Sequence, residues 1–231
     1  MRNKQIENND EEKYIKVQYK LQKQIDFHNK INISSIKNVA GVDLAYWNTN
    51  GDEYAVCCIV VLNYTTQKIV EKKYSVEKIT VPYIPGCLAF RELPIFLKTY
   101  KKINADAEIY FFDGNGYLHP RHMGLATHAG IVINKPTIGI AKSYLKIGDT
   151  EFRMPDKKQF SYTDIKIDNE VYGRALRTHS GVKPVFLSIG NKIDLDTAML
   201  ITNSLVTEVS RIPLPTRLAD IMTHEIRRKY N

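Results

Sequence analysis

The chain has 231 residues, 43% hydrophobic and 25% charged, which is long enough and apolar enough to fold around a core of its own. Its 33 basic and 25 acidic side chains give a net charge of +8, which favours polyanionic partners without identifying one. The longest apolar run covers residues 55–62, far short of the roughly 20 residues of a membrane span, and residues 1–30 hold no apolar block of the secretory-signal type. The sequence therefore predicts neither membrane insertion nor wholesale disorder.

The apolar pattern predicts alternating helices and strands. Residues 14–27 have the spacing of an amphipathic helix, and three strands with tight connections then follow, which is typical of an antiparallel meander. The later sequence predicts helix–strand units and a final basic helix. The predicted strands cover residues 39–47, 54–62, 67–76, 108–113, 137–141 and two segments within 171–189, and the later helices cover residues 88–103, 121–131, 194–206 and 217–230.

The organisation of the chain indicates one α/β domain. We find no internal repeat and no flexible linker in the sequence. The predicted domain spans residues 1–231, with an N-terminal helical segment at residues 1–37 and a core at residues 38–231. We expect it to act as a monomer.

The cysteine content argues against a disulfide framework and against a zinc cluster. The chain has three cysteines, and two of them, Cys57 and Cys58, are adjacent. Neighbouring residues of a strand point to opposite faces, so these two thiols cannot readily act together. We therefore expect a reducing compartment, with the cytoplasm as the predicted location and the nucleus as the alternative in a eukaryotic cell.

Two aspartates stand out because each belongs to an apolar strand. Asp43 lies in the middle of its strand, where an ionised carboxylate is costly to bury without a partner. Asp113 ends its strand, and the carboxyl ends of parallel strands are where α/β folds bind ligands. An exposed strand edge would explain Asp43 equally well, and an ordinary Asp-Gly turn would explain Asp113. If the strands are neighbours, the two carboxylates can share a divalent cation, and oxygen ligands favour Mg²⁺ or Mn²⁺ over zinc.

Glu92 and Asp220 are further acidic candidates with ordinary explanations. Glu92 falls at the start of a predicted helix, where glutamate commonly interacts with the helix dipole. Asp220 can pair with Arg217 or His224 on the surface of the last helix. Acids so far apart in sequence form a hydrolytic site only if the fold brings them together.

An ordered set of short motifs covers most of the chain. The motifs are Gly-Val-Asp at 41–43, Pro-Tyr-Ile-Pro-Gly at 82–86, Phe-Arg-Glu at 90–92, Asp-Gly-Asn-Gly at 113–116, His-Pro-Arg at 119–121, Ile-Gly-Ile-Ala-Lys-Ser at 138–143, Arg-Thr at 177–178, Gly-Val-Lys-Pro-Val at 181–185 and Pro-Thr-Arg-Leu-Ala-Asp at 215–220. Each motif alone is weak, but in this order the set resembles the endonuclease V family of inosine-directed nucleases.

The resemblance implies a fold and a reaction. The implied fold is ribonuclease-H-like: a mixed five-stranded central sheet of three antiparallel strands and then parallel strands, flanked by helices, with extra C-terminal strands and helices. The implied reaction is Mg²⁺-dependent hydrolysis, with Mn²⁺ as a substitute ion, of the second phosphodiester bond 3′ to inosine. It leaves 3′-hydroxyl and 5′-phosphate ends and serves the repair of deoxyinosine in DNA. Inosine-containing RNA is the alternative substrate, because nothing in the sequence separates the two sugars.

The resemblance also assigns roles to individual residues. It implies catalytic roles for Asp43, Glu92, Asp113 and Lys142, with the lysine near the scissile phosphate. It implies metal binding by Asp43, Asp113 and Asp220, although the last position varies in type within the family. Tyr83 resembles part of a wedge that holds strands apart at the lesion. The implied substrate contacts are Tyr83, Pro85, Gly86, Leu88, Gly114, Gly116, His119, Ser143 and Leu145.

One position departs from the family pattern, and two rival functions are weighed beside the nuclease. Asn115 stands where the family's Asp-Gly-His-Gly loop has histidine, and asparagine does not titrate near neutrality. This departure is the one feature that favours a nucleic-acid-binding module without catalysis, and the presence of all four acids argues against that reading. A ribonuclease-H-like nuclease without lesion preference is disfavoured by the segment around Tyr83 and by the string that contains Lys142 and Ser143.

Overall fold

The computed structural model describes the backbone of residues 2–29 and 31–230 and the side chains of residues 10–29 and 31–230. This part of the chain contains both helices and strands, as the sequence predicts. The helices are α1 (Arg2–Gln22), α2 (Leu88–Tyr100), α3 (Leu125–Ile133), α4 (Leu195–Ser204) and α5 (Leu214–Arg227), with a short 3-10 helix at Ile33–Ser35. The strands are β1 (Asn38–Thr49), β2 (Asp52–Asn63), β3 (Ile69–Lys78), β4 (Ile109–Asp113), β5 (Thr137–Ala141), β6 (Tyr162–Ile167), β7 (Glu170–Leu176) and β8 (Val185–Asn191).

All eight strands form one mixed sheet in the order β3-β2-β1-β4-β5-β8-β7-β6. The first three strands are an antiparallel meander, and β4 and β5 then add in parallel beside β1. This confirms the predicted fold class and its five-stranded centre. The extra strands predicted for the C-terminal part extend the same sheet beyond β5, each antiparallel to its neighbour.

Helices cover both faces of the sheet, so its central strands are apolar on both sides. Every residue of β2 from 55 to 62 is buried. Helices α4 and α5 pack on one face and α2 and α3 on the other. Cys58 belongs to the first core and Cys57 to the second, which confirms that the two thiols point to opposite faces.

Four elements differ from the sequence prediction. Helix α1 covers Arg2–Gln22 where the sequence predicts residues 14–27, so it begins in the polar stretch before the apolar pattern. Strand β6 lies in a charged stretch without a clear apolar pattern and is held by its pairing with β7. Helix α3 begins later than residue 121, because residues 117–122 form turns in which the His122 amide donates to the His119 carbonyl. Helix α5 begins earlier than residue 217, with Pro215 in its first turn, where the missing amide hydrogen of proline costs little.

No helix in residues 2–29 and 31–230 is both long enough and apolar enough to cross a membrane.

The contact between β1 and α5 is expected to tolerate no side chain at Gly41. A Cβ atom added there would lie 1.9 Å from the carbonyl oxygen of Pro215, at the start of α5. Gly41→Ala is therefore expected to lower the free energy of unfolding by about 3 kcal/mol, because backbone must move. Urea unfolding followed by circular dichroism measures this loss.

Gly148→Ala is the matched control for this substitution. Gly148 has φ +56 and nothing within 4 Å of an added Cβ, so only backbone strain of about 1 kcal/mol is expected. Equal losses in the two variants would contradict the close approach of β1 and α5.

Candidate active site

Three aspartates converge at one edge of the sheet. Asp43 lies in β1 and Asp113 is the last residue of β4, and these strands pair in parallel with Val42 beside Phe112. Asp220 comes from α5, which packs across β1. One carboxylate oxygen from each aspartate lies within 4.8 Å of the other two. We call these three residues the acidic trio.

Burial makes the acidic trio electrostatically costly. Asp43 is only 7% exposed, and its pKa is raised to about 8, chiefly by burial and also by the charges of Asp113 and Asp220. The Thr223 hydroxyl opposes this rise by donating a hydrogen bond of 2.6 Å to Asp43 Oδ2, as does the charge of Lys142. The carboxylates therefore need nearby positive charge to be ionised together.

Lys142 supplies part of that charge. It follows β5 directly, and its Nζ lies 2.5 Å from Asp113 Oδ2 and 2.8 Å from Asp220 Oδ1. Burial alone would lower the pKa of Lys142, but these two ion pairs hold it above its ordinary value. One ammonium against three carboxylates still leaves an excess of negative charge.

The trio fits a divalent cation. All its donors are carboxylate oxygens, they converge within 4.8 Å, and the buried member is destabilised as an anion by its neighbours. A divalent cation bound there would offset the remaining charge, and an all-oxygen donor set suits a hard ion.

Glu92 lies outside the trio and has its own support. It is buried on α2, and the Tyr46 hydroxyl donates to its Oε1 at 2.7 Å. The guanidinium of Arg91 stacks on the Tyr46 ring at 4.7 Å from the ring centre. The pKa of Glu92 is raised to about 7, chiefly by burial, with a smaller contribution from the charge of Asp113. Glu92 therefore titrates near neutrality beside the trio.

A cavity of about 380 Å³ opens next to the acidic site. We call it the base cavity. A smaller depression of about 270 Å³ adjoins it and contains Asp113, Lys142 and Ser143. Seven of the nine predicted substrate contacts line the base cavity: Tyr83, Pro85, Gly86, Leu88, Gly114, His119 and Leu145.

The carbonyl oxygen of Gly86 anchors the wall of the base cavity. It accepts hydrogen bonds from Gln18 Nε2 at 2.8 Å, Arg121 Nη2 at 2.8 Å and His119 Nε2 at 3.0 Å. The other ring nitrogen of His119 accepts from the amides of Arg121 and Met123. The pKa of His119 is lowered to about 4, chiefly by burial, so its ring is neutral at neutral pH and holds the wall in place.

The loop after β4 separates the base cavity from the trio. The Gly114 amide donates to the Ile140 carbonyl at 3.2 Å, and the Gly116 amide donates to Ser188 Oγ at 2.8 Å. Gly116 itself lies behind the loop, where an added Cβ would be 2.2 Å from the Ile189 carbonyl oxygen. Both amides are thus engaged within the fold, and Gly116 supports the loop from behind.

Asn115, the residue that departs from the family pattern, faces both openings. It lines the base cavity and the adjoining depression. Its Oδ1 is buried and has no hydrogen-bond partner among the residues that the structure describes. The loop thus presents an amide where the family has an imidazole.

The mixed sheet flanked by helices is a ribonuclease-H-like fold, and solved structures that share it with this chain are nucleases. A sequence model of the endonuclease V family matches residues 19–221. The chain belongs to the endonuclease V family and is therefore a nuclease.

Individual relatives agree over nearly the whole chain. The endonuclease V of Bacillus thuringiensis is 55% identical over 228 residues, which cover 97% of each chain. The crystal structure of the endonuclease V of Bacillus subtilis superposes with a TM-score of 0.93 at 51% identity, covering 95% of this chain and 93% of that one. The endonuclease V of Ciona intestinalis, crystallised with a 24mer DNA that contains an inosine followed by a ribo-adenosine, has a TM-score of 0.83 at 29% identity and covers 96% of this chain and 100% of its own.

The sequence analysis missed three residues that hydrogen-bond to the site. Gln18 and Tyr46 act through partners 68 and 46 positions away, so no local pattern connects them to the site. Thr223 could have been identified from the sequence, because it lies one helical turn after Asp220 and hence on the same face of α5.

In the metal-free protein, the acidic trio is expected to lower the free energy of unfolding. The pKa of Asp43 is raised from 3.8 to about 8, so the folded chain binds this proton more tightly than the unfolded chain. The cost is absent below pH 3.8 and grows as the pH rises towards 8. Metal-free Asp43→Asn should therefore exceed the wild type in free energy of unfolding by on the order of 3 kcal/mol at pH 8, and by little near pH 4.

Urea unfolding in EDTA across this pH range measures the difference. Added Mg²⁺ should stabilise the wild type and leave Asp43→Asn unchanged, while the exposed control Asp149→Asn should follow the wild type throughout. A wild type that is the more stable protein at pH 8 without metal would contradict the electrostatic account.

Proposed function

We propose that this protein is a Mg²⁺-dependent endonuclease that recognises inosine in nucleic acid and hydrolyses the second phosphodiester bond 3′ to it. The observation that carries this proposal is the continuity between the base cavity and the trio. Gly114, Asn115 and Leu145 line both the cavity and the depression that contains Asp113. The inosine-containing DNA bound by the Ciona relative supports inosine as the recognised base.

Recognition requires a base to leave the helical stack and enter the cavity. Leu88 and Leu145 supply apolar walls, and a volume of about 380 Å³ accommodates a base. The Gly86 amide has no hydrogen-bond partner among the described residues, so it is the backbone donor that we assign to the base edge. Tyr83 is 65% exposed and is suited to fill the place that the base leaves.

Hydrolysis follows from charges already in place. A cation held by the trio would lower the pKa of a bound water and offset charge on the phosphate. Lys142 offsets further charge on the phosphate oxygens. We assign the proton of the attacking water to Glu92, a buried carboxylate close enough to Asp113 to feel its charge. The water oxygen bonds to phosphorus, the bond from phosphorus to the 3′ oxygen breaks, and that oxygen takes a proton to leave a 3′-hydroxyl and a 5′-phosphate.

Further features of the proposal concern the ion, the process and the assembly. Mn²⁺ should replace Mg²⁺, because both prefer oxygen ligands. Repair of deoxyinosine in DNA is the proposed process. A single domain is proposed because one sheet contains the eight strands described and the Gln18 side chain joins α1 to the core. We also propose that the protein acts as a monomer.

The central test is cleavage of matched oligonucleotides that contain inosine or adenosine, in DNA and in RNA, with Mg²⁺. Cleavage only at inosine, with DNA cut faster, supports the proposal, whereas faster cutting of RNA supports the alternative substrate. Asp113→Asn is expected to lower kcat about 1,000-fold while binding in Ca²⁺ persists. Asp149→Asn is the control, and normal turnover by Asp113→Asn would refute the assigned metal site.

The wedge role of Tyr83 predicts a selective loss of affinity. Tyr83→Ala should weaken binding to inosine duplexes about tenfold more than binding to undamaged duplexes, because one stacking contact is lost only at the lesion. Fluorescence anisotropy in Ca²⁺ measures both affinities. Tyr74→Ala, at an exposed tyrosine of the edge strand β3, is the control, and equal losses on both duplexes would leave the wedge without support.

A further inference from the structure

A third opening borders the acidic trio at Asp220. It has a volume of about 240 Å³ and is lined by Lys142, Ser210, Ile212, Arg217, Asp220 and Ile221. It shares Lys142 with the depression that contains Asp113, and it shares no residue with the base cavity. The depression that contains Asp113 therefore adjoins both of the other openings, and these two share no lining residue with each other. We call the third opening the downstream pocket.

The downstream pocket carries positive charge that the protein leaves uncompensated. Arg217 Nη1 donates to the Val209 carbonyl at 3.1 Å, and beside it Arg211 donates to the carbonyls of Pro184 and Lys142. Within the described part of the chain, neither arginine forms an ion pair. Each guanidinium has five N–H donors, so donors remain for an anion.

The rest of the pocket is apolar on one wall and acidic at one point. Ile221 is 40% exposed and lies in the middle of α5, next to Asp220. Asp220 is the one acid in the lining, and it shares the Lys142 ammonium with Asp113. An arginine beside exposed aliphatic carbon suits a ligand that has both a phosphate and a sugar ring.

We propose that the downstream pocket binds the nucleotide that follows the cleaved bond, with Arg217 contacting the next phosphodiester on its 3′ side. This inference rests on the proposed function, because cleavage 3′ to inosine fixes the direction of the strand. With the inosine base in the base cavity and the scissile phosphate at the trio, the strand continues in the 3′ direction into the downstream pocket.

The test removes the positive charge of Arg217 from the protein and the negative charge of one phosphodiester from the DNA, singly and together. Three inosine duplexes are compared: an unmodified one, one with a neutral methylphosphonate at the third phosphodiester 3′ to inosine, and one with the same group at the seventh. Values of kcat/KM are measured for the wild type, Arg217→Gln, Arg217→Lys and the control Arg228→Gln. Arg228 is exposed near the other end of α5 and lies outside the pocket.

If Arg217 contacts this phosphodiester directly, the losses of kcat/KM caused by the variant and by the modified linkage should not multiply. The neutral group at the third position should lower kcat/KM of the wild type about tenfold, as the loss of one charge-assisted hydrogen bond does, and the seventh should have little effect. Arg217→Gln should lose about tenfold on the unmodified duplex and little more on the third-position duplex. Arg217→Lys should recover part of the loss, and Arg228→Gln should behave as the wild type.

Two results would overturn the inference. One is a wild type that ignores the neutral group at the third position, a result that does not depend on whether any variant folds. The other is independent losses by the variant and the modified linkage that multiply to about a hundredfold. Failure of the proposed function would look different, because the wild type would then cut without regard to inosine or at another bond.

Discussion

The repulsion among three carboxylates in a partly buried pocket is the constraint on which the rest of the site depends. Such a cluster is unfavourable by itself, so the fold must hold it together by packing. The parallel register of β1 and β4 fixes Asp43 beside Asp113, and the close approach of Gly41 to the start of α5 brings Asp220 to them. Lys142 offsets part of the charge and leaves the remainder for a cation and a phosphate.

The base cavity, which we propose for recognition, has a wall held by a different interaction, namely hydrogen bonding at a single carbonyl. Three donors meet at the oxygen of Gly86, one from α1 and two from the segment after the β4 loop. His119 is kept neutral by burial and uses both ring nitrogens within the protein. A wall fixed in this way can discriminate between bases, because a poorly fitting base cannot be accommodated by movement of the wall.

The sequence pointed most clearly to those site residues that are charged within an apolar strand or at its end. Asp43 and Asp113 interrupt or end apolar strands, and the fold places them together as the strand order implies. No local pattern points to Gln18 or Tyr46, because each acts through a partner distant in the chain. Strand β6 was missed because pairing with β7, and not an apolar pattern, holds it. Local chemistry was therefore predictable, and support through tertiary contacts was not.

The loop between Asp113 and Gly116 links the two halves of the site and explains why a cut would fall at a fixed distance from the recognised base. It begins at an acid of the trio, and its next two residues line the base cavity. Hydrogen bonds to β5 and β8 hold both of its glycine amides, so the loop cannot lengthen or swing without breaking them. A base seated against this loop is thereby held at a set separation from the carboxylates, and the spacing between lesion and cleaved bond becomes a property of the backbone.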